Sequence, residues 1–294
     1  MQTSKALTRG LMYLFLIVAT GLVLYPTIYM LLGAFTTPDR LLNTFLLPIP
    51  NTFNLDFLGE WWRYGLWQSY VFTILRCVFY IALGLFAGLF GGYVFSKLRF
   101  PGRDKLFLLF LSGMLMPAMI LIVPMYSMIA RFPLFGGNSL YGLGGQGLLN
   151  DMRSLFLFGW VSPFAIFLFK QNYDMLPTEY EDSAKMDGAG LLTIIFRVYG
   201  PLLKPAAAAL IVITFLAIWN DYLWPSLMVT DTFNPPIFGP ITLLVAGIGT
   251  GTFTGPPDPL AFLSTLLALW PPAMVYLIFQ RYFIQGLVAS GLKG

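Results

Sequence analysis

Six apolar runs dominate this chain and leave few folds open to it. They are roughly Leu11–Phe35, Trp67–Phe95, Leu106–Ile129, Leu155–Phe169, Ala206–Trp224 and Leu260–Phe283, the fourth being short, taken to about Lys170 and extensible through Arg153 or Gln171. An α-helix rises about 1.5 Å per residue, so about twenty apolar residues cross a hydrocarbon layer of about 30 Å. Hydrocarbon offers the backbone no hydrogen-bond partner, so runs of this length are expected to be helices. Hydrophobic residues make up 57% of the chain and charged ones 10%. That is more apolar surface than one soluble core can hide. The expected fold class is an all-α polytopic membrane protein with about six transmembrane helices in one domain over residues 1–294. The first run is longer than the apolar part of a signal peptide, and no small-residue cleavage site closes it. Lys5 and Arg9 are therefore read as flanking an uncleaved span.

Basic residues orient the spans, because loops on the cytoplasmic side carry the excess of Lys and Arg. With the N-terminus inside, Lys5, Arg9, Lys97, Arg99, Arg103, Lys105, Lys170, Lys185, Arg197, Lys204, Arg281 and Lys293 are cytoplasmic. Arg40, Arg63, Arg131 and Arg153 are outside, a split of twelve to four, and Arg76 falls within the second span. Both termini are then cytoplasmic. The outer segments 36–66, 131–153 and 228–259 are rich in Gly, Pro and Asn and read as loops with short surface helices.

Several chemistries lack their residues. There is no histidine, the commonest general base and metal ligand. The single cysteine, Cys77, sits in an apolar run and reads as a small core residue. Gly142, Gly144 and Gly147 spell G-x-G-x-x-G in "YGLGGQG", but without a preceding strand this is a flexible outer loop rather than a nucleotide site. No G-x-x-x-x-G-K-[ST] occurs, so no ATP site is expected on this chain.

Within the spans, Pro117, Pro124, Pro163, Pro271 and Pro272 each remove a backbone donor. They read either as bends lining a path that changes shape or as ordinary membrane-helix prolines. "GLFAGLFGG" pairs Gly84 with Gly88 and Gly88 with Gly92, a spacing for close helix packing. Arg76 either snorkels to the interface or faces a wet interior. "WND" (Trp219–Asn220–Asp221) is either a polar site on the translocation path or an interfacial cluster with Trp219 and Trp224 in the aromatic belt.

The densest charge lies in "EYEDSAKMDGAG", Glu179–Gly190. Pro177 breaks the preceding segment, Thr178 and Glu181 fit a capping box, and Glu179, Glu181 and Asp182 crowd a first turn where the helix dipole favours acids. Gly188 supplies a C-terminal stop. A helix of about nine residues is too short to stand alone in water. Tyr180, Ala184 and Asp187 share a face, with Ser183 beside it, and suit docking against another surface. The alternative is a solvated, capped loop helix.

The run Asp182–Gly188, nine residues, then Val198–Tyr199–Gly200–Pro201 resembles the EAA motif of ABC importer permeases, E-A-A-x-x-x-G, nine residues, I-x-L-P. Gly188 and Pro201 match, and Ala184 matches the second alanine. Asp182, Ser183 and Gly200 stand where the motif has Glu, Ala and Leu. "MDGA" before "PLLKPA" is similar to the carbohydrate branch, the MalG-like subunits. "GGYVFSKLRFPGRDKLF", "WNDYLWPSL" and the tail "QRYFIQGLVASGLKG" resemble further segments of that branch.

The resemblance implies a type I (MetI-like) importer domain in a bacterial or archaeal inner membrane. It implies that the loop 171–205 carries a coupling helix that rests on a separate ATPase. Tyr180, Asp182, Ser183, Ala184, Asp187, Gly188 and Pro201 are the implied coupling residues. Leu292, Lys293 and Gly294 are implied to reach the ATPase pair from the tail. Implied partners are a MalF-like second permease, two ATPase subunits that bind ATP and magnesium, and an extracytoplasmic solute-binding protein. The implied cargo is a sugar, with glycerol phosphate or a compatible solute as alternatives. A self-contained secondary transporter or an intramembrane enzyme is disfavoured by the absence of histidine and the shortage of intramembrane ionisable groups, so a non-catalytic subunit is expected. No nucleic-acid partner, bound cofactor or metal is expected on this chain.

Overall fold

A computed structural model describes residues 2–44, 46–51, 59, 65–159, 162–229, 240–242, 245 and 259–291, excluding the side chains of residues 2–8, 42 and 281–291. The chain divides into two compact units, Met1–Trp67 with Leu244–Pro271 and Gln68–Leu243 with Pro272–Gly294.

In the first unit, α1 (Gln2–Ala34) is followed by the short α2 (Pro38–Asn43). Thr36 ties the end of α1 to the next segment, its Oγ1 lying 2.8 Å from the Leu32 carbonyl and 2.7 Å from the Pro48 carbonyl, which share its one hydroxyl proton. Tyr29 meets Phe262 edge-on, at 5.9 Å between centroids. Leu11, Phe15, Leu22 and Val23 are exposed, the face a bilayer covers.

The second unit is organised around α3 (Leu66–Lys97), whose buried stripe is small and polar. Ser69, Thr73, Arg76, Cys77 and Tyr80 line it, while Val71, Ile74, Leu75, Val78 and Phe86 face outward. Lipid is as apolar as a core, so membrane helices pack through small and polar residues rather than through an apolar face. Gly88 and Gly92 bear out the packing expectation, and Gly91 joins them. A Cβ at Gly88 would stand 2.6 Å from the Phe169 ring, one at Gly91 2.9 Å from Ile166, and one at Gly92 2.6 Å from Phe169 Cβ. At Gly84 a Cβ would meet Leu210 at an ordinary 3.6 Å.

The third predicted span, 106–129, is broken. α4 (Arg103–Leu115) and α5 (Ala118–Ala130) are bent by 93°. Met116 and Pro117 are both extended, at ψ 120° and 127°. Proline pushes its predecessor out of the helical region and has no N–H for the preceding turn, so two adjacent residues leave the helix together. Pro124 sits inside α5 without ending it.

The fourth predicted span is also corrected. Residues Met152–Phe156 form a 3₁₀ turn, Gly159 takes a positive φ, and α6 begins only at Pro163 and ends at Asp174. The Ser162 side chain accepts from the Ala165 N–H at 3.3 Å, so "SP" is a helix start. Twelve residues rise about 18 Å, too little to cross hydrocarbon.

The short α7 (Glu179–Met186) follows, then a π-helical turn, Ile194–Tyr199, and Gly200–Leu202. The fifth predicted span becomes α8 (Lys204–Trp219) and α9 (Leu223–Met228), with Asn220 and Asp221 between them. α10 (Pro259–Gly291) carries the sixth and retains Pro271 and Pro272. Among the described residues four helices are long and apolar enough to cross a membrane, five if α4 and α5 form one bent span.

The loop after α5 is a set of tight turns. The Asn138 amide donates to the Ala130 and Phe132 carbonyls and accepts from the Gly145 N–H. Gly142, Gly144 and Gly147 all adopt positive φ, so the glycines of "YGLGGQG" serve backbone geometry.

Candidate functional site

α7 is held by one buried carboxylate. Thr178 is itself helical (φ −75°, ψ −19°) and makes no side-chain cap, so the expected capping box is absent. Glu181 instead turns inward and is 6% exposed. Its Oε1 accepts from Tyr93 Oη and from Lys185 Nζ, both at 2.7 Å, and its Oε2 from Tyr199 Oη at 3.3 Å. Burial alone would push the carboxyl up. The bonds from Lys185, Tyr93 and Tyr199 outweigh it and hold Glu181 below the usual carboxylate range. Burial and the Glu181 charge push the Tyr199 phenol up.

The surroundings are a cluster of Tyr93, Phe169, Tyr173, Ile195 and Tyr199. The Tyr173 and Tyr199 rings meet edge-on at 5.2 Å, and buried Tyr173 Oη has no hydrogen-bond partner. Ala184 packs against this cluster, so of the predicted docking face it points inward. Lys97 Nζ donates to the Leu176 carbonyl at 2.6 Å, and Ser96 Oγ bonds Asp174 at 2.6 Å. The end of α3 therefore grips both the end of α6 and the entry to α7.

The C-terminal stop is as expected. Gly188 adopts φ +76°, its N–H donates to the Lys185 carbonyl at 3.0 Å, and the Ala189 N–H donates to Ala184 at 2.9 Å. This is a Schellman cap. Tyr180, Asp182, Ser183 and Asp187 are exposed on α7, and Met186 is 88% exposed beside them. Pro201 is exposed in the turn before α8, two residues beyond Tyr199, and not on α7. Leu292, Lys293 and Gly294 lie outside the described residues.

A second polar centre lies between the helices. Arg76 on α3, 2% exposed, donates through Nη2 to Asp221 Oδ2 at 2.6 Å and through Nε to the Leu155 carbonyl at 3.2 Å. Tyr80 Oη reaches the Leu155 and Phe158 carbonyls at 2.9 and 2.6 Å. Asp221 Oδ1 accepts from the Trp224 N–H at 3.4 Å and so anchors the start of α9. The pair lines a cleft of about 460 Å³ with Tyr80, Phe158, Thr214 and Trp224. Arg76 is thus an inward-facing ion-pair member and not a snorkelling residue. Trp219 is 2% exposed and stacks on Phe215 at 5.4 Å, which removes it from an interfacial belt. Asn220 caps α8 by donating to the Leu216 carbonyl at 2.9 Å and does not line the cleft.

In the sequence Arg76 and Asp221 stand out separately, and Glu181 only as part of a cap. Tyr93 and Tyr199 were missed. The legible signals were the Glu181/Lys185 spacing of four and tyrosines placed where a lipid-facing helix needs no hydroxyl.

Among the described residues the chain is helical, with an ion pair of buried Arg76 and partly buried Asp221 between its helices and a stiff polar helix beside them, the architecture of a multi-pass membrane protein. The family described as "Binding-protein-dependent transport system inner membrane component" matches residues 80–288, and the chain belongs to it. The arabinooligosaccharides transport system permease protein AraQ of Halalkalibacterium halodurans is 28% identical over 279 residues, 93% of this chain and 92% of that protein. The lactose transport system permease protein LacG of Rhizobium radiobacter is 27% identical over 95% of this chain and 94% of its own. The sn-glycerol-3-phosphate transport system permease protein UgpE of Escherichia coli K12 is 28% identical, over 94% of each. A solved bacterial ABC transporter involved in the import of the acidic polysaccharide alginate shares the fold, with a TM-score of 0.73 at 22% identity over 95% of this chain and 98% of that chain. The protein is a multi-pass inner-membrane component.

Proposed function

We propose that this chain is the permease subunit of an ATP-driven importer that carries a sugar or oligosaccharide inward. α7 lies on the cytoplasmic side with both termini and receives the stroke of separate ATPase subunits. The observation that carries this reading is the construction of α7. It is clamped internally through Glu181, capped at Gly188, and presents Tyr180, Asp182, Ser183, Met186 and Asp187 outward. A helix of eight residues fixed at both ends transmits displacement, because its own bending costs its anchoring contacts. A second, MalF-like permease completes the pathway, a solute-binding protein delivers cargo, and ATP and magnesium bind the ATPase pair. The tail residues Leu292, Lys293 and Gly294 make a further ATPase contact. Arg76 and Asp221 border the solute path, and Asn220 holds the turn beside them. The names of the sugar-transporting relatives support the cargo class; UgpE keeps glycerol phosphate as a second reading.

The test is co-purification and cross-linking from native membranes. A cysteine at Met186 or Asp187 should cross-link to an ATPase subunit, and the chain purified alone should hydrolyse no ATP. Hydrolysis by the isolated chain, or extracellular labelling of residues 179–190, defeats the proposal.

A further inference from the structure

The Arg76–Asp221 cleft sets one charge of each sign among mostly apolar walls. We infer that it is a subsite for an uncharged, hydroxyl-bearing solute and discriminates against carboxylated or phosphorylated counterparts. This rests on the permease reading and sharpens its cargo. Of the lining residues only Arg76 and Asp221 are charged, one of each sign, so the site is neutral overall. The Arg76 charge is already engaged by a carboxylate at 2.6 Å. An incoming anion would meet Asp221 as a like charge without a spare cation to offset its lost hydration.

A hydroxyl meets the opposite situation. It is both donor and acceptor, and the pair offers both functions side by side. Arg76 Nη1 is a buried donor with no partner, and Asp221 Oδ1 has only the long contact from the Trp224 N–H. A buried donor without an acceptor is costly, and a solute oxygen is a natural remedy. Around the pair stand the aromatic faces of Tyr80, Phe158 and Trp224, with Phe158 and Trp224 edge-to-face at 6.0 Å. Apolar walls with a few placed polar groups, at about 460 Å³, are what a small-molecule site requires.

The experiment compares galactose with galacturonate, which differ only at the sixth carbon, by saturation-transfer NMR on the full chain in lipid nanodiscs at millimolar probe. Galactose should receive saturation and galacturonate at least about five-fold less, as expected where like charges are juxtaposed. Asp221→Asn leaves Arg76 uncompensated and should bring galacturonate to or above the galactose level. The double variant Arg76→Gln with Asp221→Asn removes both charges and should keep galacturonate excluded, which covers the case in which the single variant fails to fold. Equal binding of both probes by wild type, binding of neither, or a double variant that admits galacturonate overturns the inference. Met186 cross-linking to the ATPase is read in parallel: galacturonate binding with that cross-link intact sinks the neutral subsite alone, whereas its loss sinks the permease reading.

Discussion

Glu181→Ala should loosen α7 without unfolding the rest of the protein. The variant removes the acceptor from Tyr93 Oη, a 2.7 Å bond to a charged group, and from Tyr199 Oη at 3.3 Å. A hydrogen bond to a charge contributes about 1.5–3 kcal/mol, and the longer contact belongs at or below the lower limit. The lost Lys185 pair adds little, since Lys185 is 56% exposed and water screens it. Tyr93 and Tyr199 are 2% and 0% exposed, so their hydroxyls would join that of Tyr173 as buried groups without a partner. The expected loss is on the order of 3 kcal/mol, or roughly a hundred-fold rise in local opening.

Amide hydrogen exchange across residues 181–189 reads this directly, with Glu179→Ala as an exposed control expected to fall within about 0.5 kcal/mol of wild type. The pH dependence has a definite sign. The folded-state pKa of Glu181 lies below its ordinary value of 4.5, so its contribution is complete above that value and is lost as pH falls through the lower one. Protection should be flat around neutrality and decline only in acid. Unchanged exchange in Glu181→Ala, or an equal effect from Glu179→Ala, would refute the clamp.

Three other perturbations follow from the geometry. Gly188→Pro cannot adopt φ +76° and removes the N–H that caps Lys185; it should uncouple hydrolysis from uptake while membrane insertion stays normal, and normal uptake would count against coupling through α7. Gly92→Leu drives a side chain into Phe169 and the Lys170 backbone, where even a Cβ stands 2.6 and 3.0 Å away; a loss of about 1–3 kcal/mol or more is expected in thermal unfolding. Asp221→Ala strands the buried Arg76 charge at about 3–5 kcal/mol, toward the lower end because Asp221 is 22% exposed. Arg76→Leu with Asp221→Leu should recover most of that stability, and a double variant no better than the single one would contradict a true ion pair.

The sequence alone determined that the long apolar runs become helices at 11–34, 67–95 and 206–219, and where α7 stops. Hydrocarbon leaves a long apolar run no alternative to the helix, and Gly188 at a charged helix end meets a local need for positive φ. Local spacing also marked Gly88 and Gly92 as packing positions, and Pro117 was among five prolines for which a bend was one reading, but the sequence did not single it out as the one where α4 and α5 break. Tertiary structure alone decided the partners. Arg76 and Asp221 are 145 residues apart, and Tyr93 and Glu181 are 88 apart, so no local pattern joins them. In a soluble protein the apolar face would have shown which side of α3 is inside. Here lipid makes the outer face equally apolar, erasing that signal. Which polar groups meet in the interior was left to packing, and those meetings build both the clamp on α7 and the cleft beside Asp221.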